Sequence, residues 1–159
     1  MKVLVCDSIS PKAVERMRKE GLEVDVQDQI TPEELLEVIG AYDAMVVRSR
    51  TKVRKPVIDR AENLKVVVRG GVGVDNIDVD YATSKGIRIM NTPGASTHAV
   101  AELTIAYMFA LARPIAQATE SMRAGLWEKS KFAGIELAGK VLGIIGMGRI
   151  GAAVAQRAA

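Results

Sequence analysis

The chain has 159 residues, of which 48% are hydrophobic and 26% charged, a balance that supports a packed core and argues against disorder. The formal net charge is +3, no Lys/Arg run exceeds two residues, and three Tyr, two Phe and one Trp offer little base stacking, so nucleic-acid binding is not expected. Cys6 is the sole cysteine, which excludes an internal disulfide or a Cys-rich zinc site; with no signal peptide before the first strand, a reducing cytoplasm is expected.

In chain order, Lys2–Cys6 reads as a short apolar strand with Cys6 packed inside it. Ser10-Pro11 opens a helix over Ala13–Glu20 that Gly21 stops. Leu22–Val26 is a second strand. Thr31 caps a second helix, with Pro32 in its first position, Glu33 and Glu34 meeting its positive end, and Gly40 closing it. Ala44–Val47 is a third strand and Pro56–Ala61 a helix. Lys65–Val68 is a fourth strand, a β-branched run of the kind found in sheets covered on both faces. Asp78–Lys85 is helical, Gly86 ends it, and Ile87–Met90 is the fifth strand. Alternating strands and helices predict a parallel sheet with right-handed crossovers. Ligands then bind at the carboxyl ends of its strands, so the loops after the third and fourth are the places to search.

Asn91-Thr92-Pro93-Gly94 breaks this alternation. Ser96 or Thr97 caps an apolar helix to Arg113; its core, Ala99–Ala112, contains Glu102 and falls short of the about 20 residues a bilayer requires, so it reads as a buried helix. Pro114 ends or kinks it, a second helical stretch runs to Arg123, and Gly125 stops that one. Trp127–Gly139 is loop-like. Val141–Ile145 reads as a buried apolar strand that enters Gly146-Met147-Gly148-Arg149-Ile150-Gly151 and a helix from Arg149 or Ile150. Residues 1–95 are thus expected to form one domain, and 96–159 the crossing helices and an incomplete start of another. The last strand has no neighbour in the sequence, so the chain is expected to be a fragment.

Three segments carry candidate chemistry. Gly146-x-Gly148-x-x-Gly151 between an apolar strand and a helix has the pattern of a dinucleotide fingerprint: the first glycine turns, the second admits a pyrophosphate, the third lets helix and strand pack. The acidic residue that would read the ribose falls beyond residue 159, so NAD and NADP are not distinguished. Arg48-Ser49-Arg50-Thr51 follows the third strand, where two guanidiniums and a hydroxyl could grip a phosphate; a solvated basic loop is the alternative. Arg69-Gly70-Gly71-Val72-Gly73-Val74-Asp75-Asn76 follows the fourth, where three glycines permit positive φ and an anion-binding nest; a tight turn before a cap at Asp78 is the alternative. His98, the only histidine, reads as an exposed polar position rather than a base, and the helix dipole accounts for Glu102. Trp127–Phe132 reads as a solvated loop with an anchoring Trp.

These segments, with Asn91-Thr92-Pro93-Gly94, Ala101-Glu102-Leu103 and Gly139–Gly151, occur in an order and spacing that resemble the D-2-hydroxyacid dehydrogenase family, in its branch acting on 3-phosphoglycerate. The resemblance covers the whole chain. It implies a flavodoxin-like parallel-sheet substrate domain, a crossing helix that builds a homodimer, and the first βα unit of a Rossmann domain using NAD. It further implies substrate contacts from Arg48, Ser49, Arg50 and Gly71, Val72, Gly73, Val74, with Lys129 reaching a partner subunit's site. Cofactor contacts are implied for Val72, Gly146, Gly148, Arg149, Ile150 and Gly151. The family's catalytic arginine, glutamate and histidine have no counterpart in this sequence, so the chain alone is expected to be inactive. A glyoxylate or hydroxypyruvate reductase of the same family, and a non-catalytic anion-binding or dimerisation module, are the alternatives.

Overall fold

The computed structural model describes all residues, 1–159, in two compact units, Met1–Ala95 and Ser96–Ala159. The first unit runs β1 Lys2–Val5, α1 Pro11–Lys19, β2 Glu23–Val26, α2 Pro32–Val38 with a 3-10 turn at Ile39–Ala41, β3 Ala44–Val47, α3 Lys55–Arg60, β4 Val66–Arg69, α4 Val79–Ser84 and β5 Arg88–Asn91. All pairings are parallel and the strand order is β2-β1-β3-β4-β5, the flavodoxin-like doubly wound order.

Local chemistry explains the element ends. The Thr31 hydroxyl accepts from the Glu34 amide (3.2 Å) while the Glu34 carboxylate accepts from the Thr31 amide (2.9 Å), so two orphan donors are satisfied reciprocally. Asp78 caps α4 by accepting from the Tyr81 amide at 3.2 Å. Gly21 and Gly86 stop their helices in the left-handed region, at φ +82° and +79°. Gly40 does not act as a stop: it sits inside the 3-10 turn without positive φ.

One face of the sheet carries Leu4, Cys6, Met45, Val47 and Val67 against Leu35 of α2, Val57 and Ile58 of α3 and Ala82 of α4. The other face packs Val3, Val5, Val24 and Ala44 against Val14 and Met17 of α1. Cover on both faces of β4 is not complete within this unit: Val66 and Val68 are half-buried and Met90 of β5 is 49% exposed, because the cluster around Val14 of α1 takes in Val66 but not Val68 or Met90.

The second unit contains α5 Thr97–Ala112, α6 Ile115–Arg123, a 3-10 turn at Lys129–Phe132 and α7 Arg149–Ala158. Three expectations are corrected here. The helix read as buried is largely exposed: Ala101, Ile105 and Met108 pack with Ala153, Val154 and Ile144, while Leu103, Tyr107, Phe109 and Leu111 face outward. An element apolar all round gives no periodic clue to which face is covered. Val141–Ile145 forms no strand; Val141 and Ile145 are fully exposed, because a ladder requires a neighbouring strand and residues 96–159 supply none. Trp127 does not anchor its loop and is 79% exposed. No single helix is long and apolar enough to cross a membrane, and α5 and α6 meet at 68° across Pro114.

Two outcomes follow from this packing. In hydrogen exchange, the amides of β1, β3 and β4 should be the slowest and those of Val141–Ile145 close to unprotected; slow exchange across Val141–Ile145 would contradict the unpaired segment. The second concerns alkali. Burial, helped by the Asp7 charge, pushes the Cys6 thiol up to about 12; burial, helped by a hydrogen bond to Asp25, pushes the Tyr42 phenol up to about 12. The unfolded chain ionises both groups earlier, so stability should be full below about pH 9 and fall as pH rises towards 12. Denaturant midpoints measured across that range should decline less steeply for a Cys6→Ala/Tyr42→Phe chain; an unchanged slope would rule these groups out.

Candidate functional site

The carboxyl ends of β1 and β3 converge on a buried carboxylate. Asp7, two residues past β1, is 3% exposed. It accepts from the Arg48 amide, the Thr51 amide (3.3 Å) and the Thr51 hydroxyl (2.7 Å), and pairs with Arg50 Nε at 3.1 Å. A buried charge has to be met by donors from all sides, and here residues 48–51 wrap around it to supply them.

That wrapping alters the expected role of Arg50. Its Nη1 donates to the Ile30 carbonyl (3.0 Å) and its Nη2 to the carbonyls of Asp28 (2.7 Å) and Cys6. With Nε on Asp7, four of the five N–H donors of a guanidinium are engaged, so the bidentate phosphate fork expected of Arg50 is not available. Arg50 instead fastens the end of β1 to the loop after β2. Arg48 differs. Its guanidinium makes one long contact, to the Ser8 carbonyl at 3.4 Å, and both it and Ser49 are exposed.

Asn76 joins the two candidate loops. It is 1% exposed, and its Nδ2 donates to the carbonyls of Arg48 (2.9 Å) and Thr51 (2.7 Å). The Val53 amide donates to the Asn76 carbonyl and the Asp78 amide to the Val53 carbonyl, both at 2.9 Å, and Arg54 Nη2 reaches the Asp75 carbonyl at 2.7 Å.

The glycine loop is built differently from expectation. None of Gly70, Gly71 or Gly73 has positive φ. Gly71 instead leaves room for a side chain: a Cβ there would overlap the Arg69 guanidinium, whose Nε is buried without a partner, and Arg69 would have to move. Asn91 Nδ2 supports the loop from β5 by donating to the Val72 carbonyl at 2.6 Å, and the Thr92 amide donates to the Gly71 carbonyl at 2.9 Å. The amides of Val72, Gly73 and Val74 donate to no other group of the chain. Arg48 Cγ lies 3.5 Å from where a Gly70 Cβ would sit, so the base of the Arg48 side chain adjoins the start of the glycine loop, while its guanidinium reaches the Ser8 carbonyl. An exposed cation and unengaged amides on neighbouring loops are groups that can receive an anion. Of the expected substrate contacts, Arg48, Ser49, Gly71, Val72, Gly73 and Val74 are thus gathered at one sheet edge. Asp7, Asn76 and Arg69 were not singled out as site residues; the only signal for Arg69 is a charge closing an apolar strand.

In the second unit the fingerprint glycines divide their roles as the pattern predicts. Gly146 turns at φ +94°, a conformation other residues rarely adopt. A Cβ on Gly151 would overlap the Gly146 carbonyl, whereas one on Gly148 would meet open space. The first intrahelical bond of α7 runs from the Ala152 amide to the Gly148 carbonyl (2.9 Å), leaving the amides of Arg149, Ile150 and Gly151 at its positive end. These residues fit a pyrophosphate. Lys129 is exposed at the start of its 3-10 turn. His98 is exposed with Nδ1 3.1 Å from Arg157 Nη2, which also reaches Glu102 at 3.2 Å, so both belong to a surface link between α5 and α7. No group of His, Cys, Asp and Glu could hold a metal ion.

Similarity to known proteins agrees with this geometry. The chain is 53% identical over 157 residues to a D-3-phosphoglycerate dehydrogenase of Archaeoglobus fulgidus and 48% identical over 158 residues to a hydroxypyruvate reductase of Thermotoga maritima. It spans 30% of the first and 51% of the second. Among solved structures, a protein of Thermus thermophilus superposes with a TM-score of 0.91 at 39% identity, over 99% of this chain and 52% of that one. An NADPH-dependent glyoxylate/hydroxypyruvate reductase of Sinorhizobium meliloti, solved with NADP and malonate, does so with a TM-score of 0.78 at 29% identity, over 98% of this chain and 49% of that one. Residues 3–132 match the profile described as D-isomer specific 2-hydroxyacid dehydrogenase, catalytic domain, and the chain belongs to that family.

Proposed function

We propose that the chain is the acid-binding part of an NAD-dependent dehydrogenase that oxidises the 2-hydroxyl of 3-phospho-D-glycerate to 3-phosphohydroxypyruvate, a step of serine biosynthesis. The observation that carries this reading is that Arg48, exposed and with only a long contact to the Ser8 carbonyl, and the free amides of Val72–Val74 follow adjacent strands at the same carboxyl edge of a parallel sheet. Curated relatives of that name, 53% identical, support the substrate.

Arg48 supplies the charge for the anionic end of the acid, with Ser49 beside it and the amides of Gly71–Val74 as a neutral cradle; Lys129 adds a cation from a second subunit. Arg50 braces the loop and takes no part as a fork. Gly146, Gly148, Arg149, Ile150 and Gly151 would hold the pyrophosphate of the cofactor at the start of α7, and the family resemblance assigns Val72 to the cofactor as well. When bound, that ring accepts the hydride. A homodimer formed through residues 96–132 suits the outward-facing Leu103, Tyr107, Phe109 and Leu111.

One observation favours a second reading. With Arg50 engaged internally the loop offers one free guanidinium rather than two, which suits a monoanion such as hydroxypyruvate, the substrate named for the Thermotoga maritima relative.

Binding separates the two. By calorimetry the chain should bind 3-phosphoglycerate more tightly than hydroxypyruvate, and Arg48→Ala should weaken 3-phosphoglycerate by about tenfold or more, the scale of one lost charge-assisted hydrogen bond. A change within about twofold, or tighter binding of hydroxypyruvate, would put the second reading first. Residues 1–159 contain no match to the family's acid–base histidine, so NADH formation from 3-phosphoglycerate should stay at the blank; turnover free of longer protein would refute this.

A further inference from the structure

We propose that Asn76 is a positioning residue that sets Arg48 against the glycine loop, so that one ligand meets both; this rests on the acid-binding reading above. Asn76 touches no ligand-facing surface and is 1% exposed. Its two N–H bonds end on the carbonyls of Arg48 and Thr51, at 2.9 and 2.7 Å, and its Oδ1 has no partner. The amide orientation is forced: an oxygen turned towards two carbonyl oxygens would be repelled, so the donor end faces them.

The geometry gives the residue a specific reach. Arg48 is held through its backbone from two sides, its amide on Asp7 and its carbonyl on Asn76. Asn76 itself closes the glycine loop, and its carbonyl receives the Val53 amide at 2.9 Å. The buried Asn76 amide is therefore a side-chain joint between the loops after β3 and β4, set at the Arg48 end of the first. Backbone bonds between Val53 and Asn76 and between Asp78 and Val53, and Arg54 on the Asp75 carbonyl, tie the same loops further along; the Asn76 side chain is the tie that reaches the Arg48 carbonyl. A hydrophobic residue at position 76 would leave two carbonyls facing an apolar group, and the Arg48 end of the loop would lose its tie to the glycine loop.

The test is a double-mutant cycle on the chain, read as affinity for 3-phosphoglycerate with inorganic phosphate as a second probe. Asn76→Ala should weaken 3-phosphoglycerate by about tenfold when Arg48 is present and by less than about twofold in an Arg48→Ala background. Equal losses in both backgrounds would show a merely structural role and overturn the proposal. Should Asn76→Ala fail to fold, Asn76→Ser keeps one donor and takes its place in the cycle. If neither probe binds the unaltered chain, the acid-binding reading fails by itself, and ligand-free ¹⁵N relaxation decides on Asn76. Faster motion of both Arg48–Thr51 and Gly70–Val74 in the variant than in the unaltered chain would support the joint; unchanged motion would overturn it.

Discussion

The Asp7 carboxylate, out of solvent at the end of the first strand, is the constraint around which the site is arranged. A buried charge tolerates few surroundings, and this one is satisfied by an amide and a hydroxyl from Thr51, the Arg48 amide and the Arg50 guanidinium. Satisfying it fixes where the loop after β3 runs. Once the loop is fixed, its carbonyls face inwards towards Asn76, and the glycine loop is drawn into the same assembly. Arg48 is then the cation left facing outwards. The contrast between a bracing Arg50 and an outward-facing Arg48, two residues apart, is a consequence of the buried acid.

Features governed by neighbours in the chain could be read in advance. Thr31 and Glu34 are three residues apart and form their reciprocal cap; Asp78 caps three residues ahead; Gly21, Gly86 and Gly125 take positive φ where helices stop. The flavodoxin-like order follows from alternation and the handedness of crossovers. The misjudged features depend on distant partners. Arg50 meets Cys6 and Asp7 from more than forty residues away, and no spacing in the sequence announces a partner at that range. The apolar run Val141–Ile145 has strand composition but lacks a strand beside it. For α5 the reverse holds: helix was evident, but its uniform apolarity concealed that only the Ala101–Ile105–Met108 side is covered by α7.

Glycine positions illustrate why a motif is not yet a mechanism. In Gly146–Gly151 each glycine does what the fingerprint requires, by turn, open space and close packing in that order. In Gly70–Gly73 the same residue type is used without positive φ, and Gly71 matters because the Arg69 side chain occupies the space a Cβ would need. Both loops nevertheless end with unengaged amides, and unengaged amides are what an anion recognises.

The division of labour between Arg48 and Arg50 is open to direct observation. Side-chain ¹⁵N resonances of both arginines and the amides of Val72–Val74 can be followed while 3-phosphoglycerate is added to the chain. The account predicts that Arg48 Nε and the Gly73 and Val74 amides shift together with one dissociation constant while Arg50 Nε, held on Asp7, stays in place. Movement of the Arg50 resonance with Arg48 unmoved would contradict it.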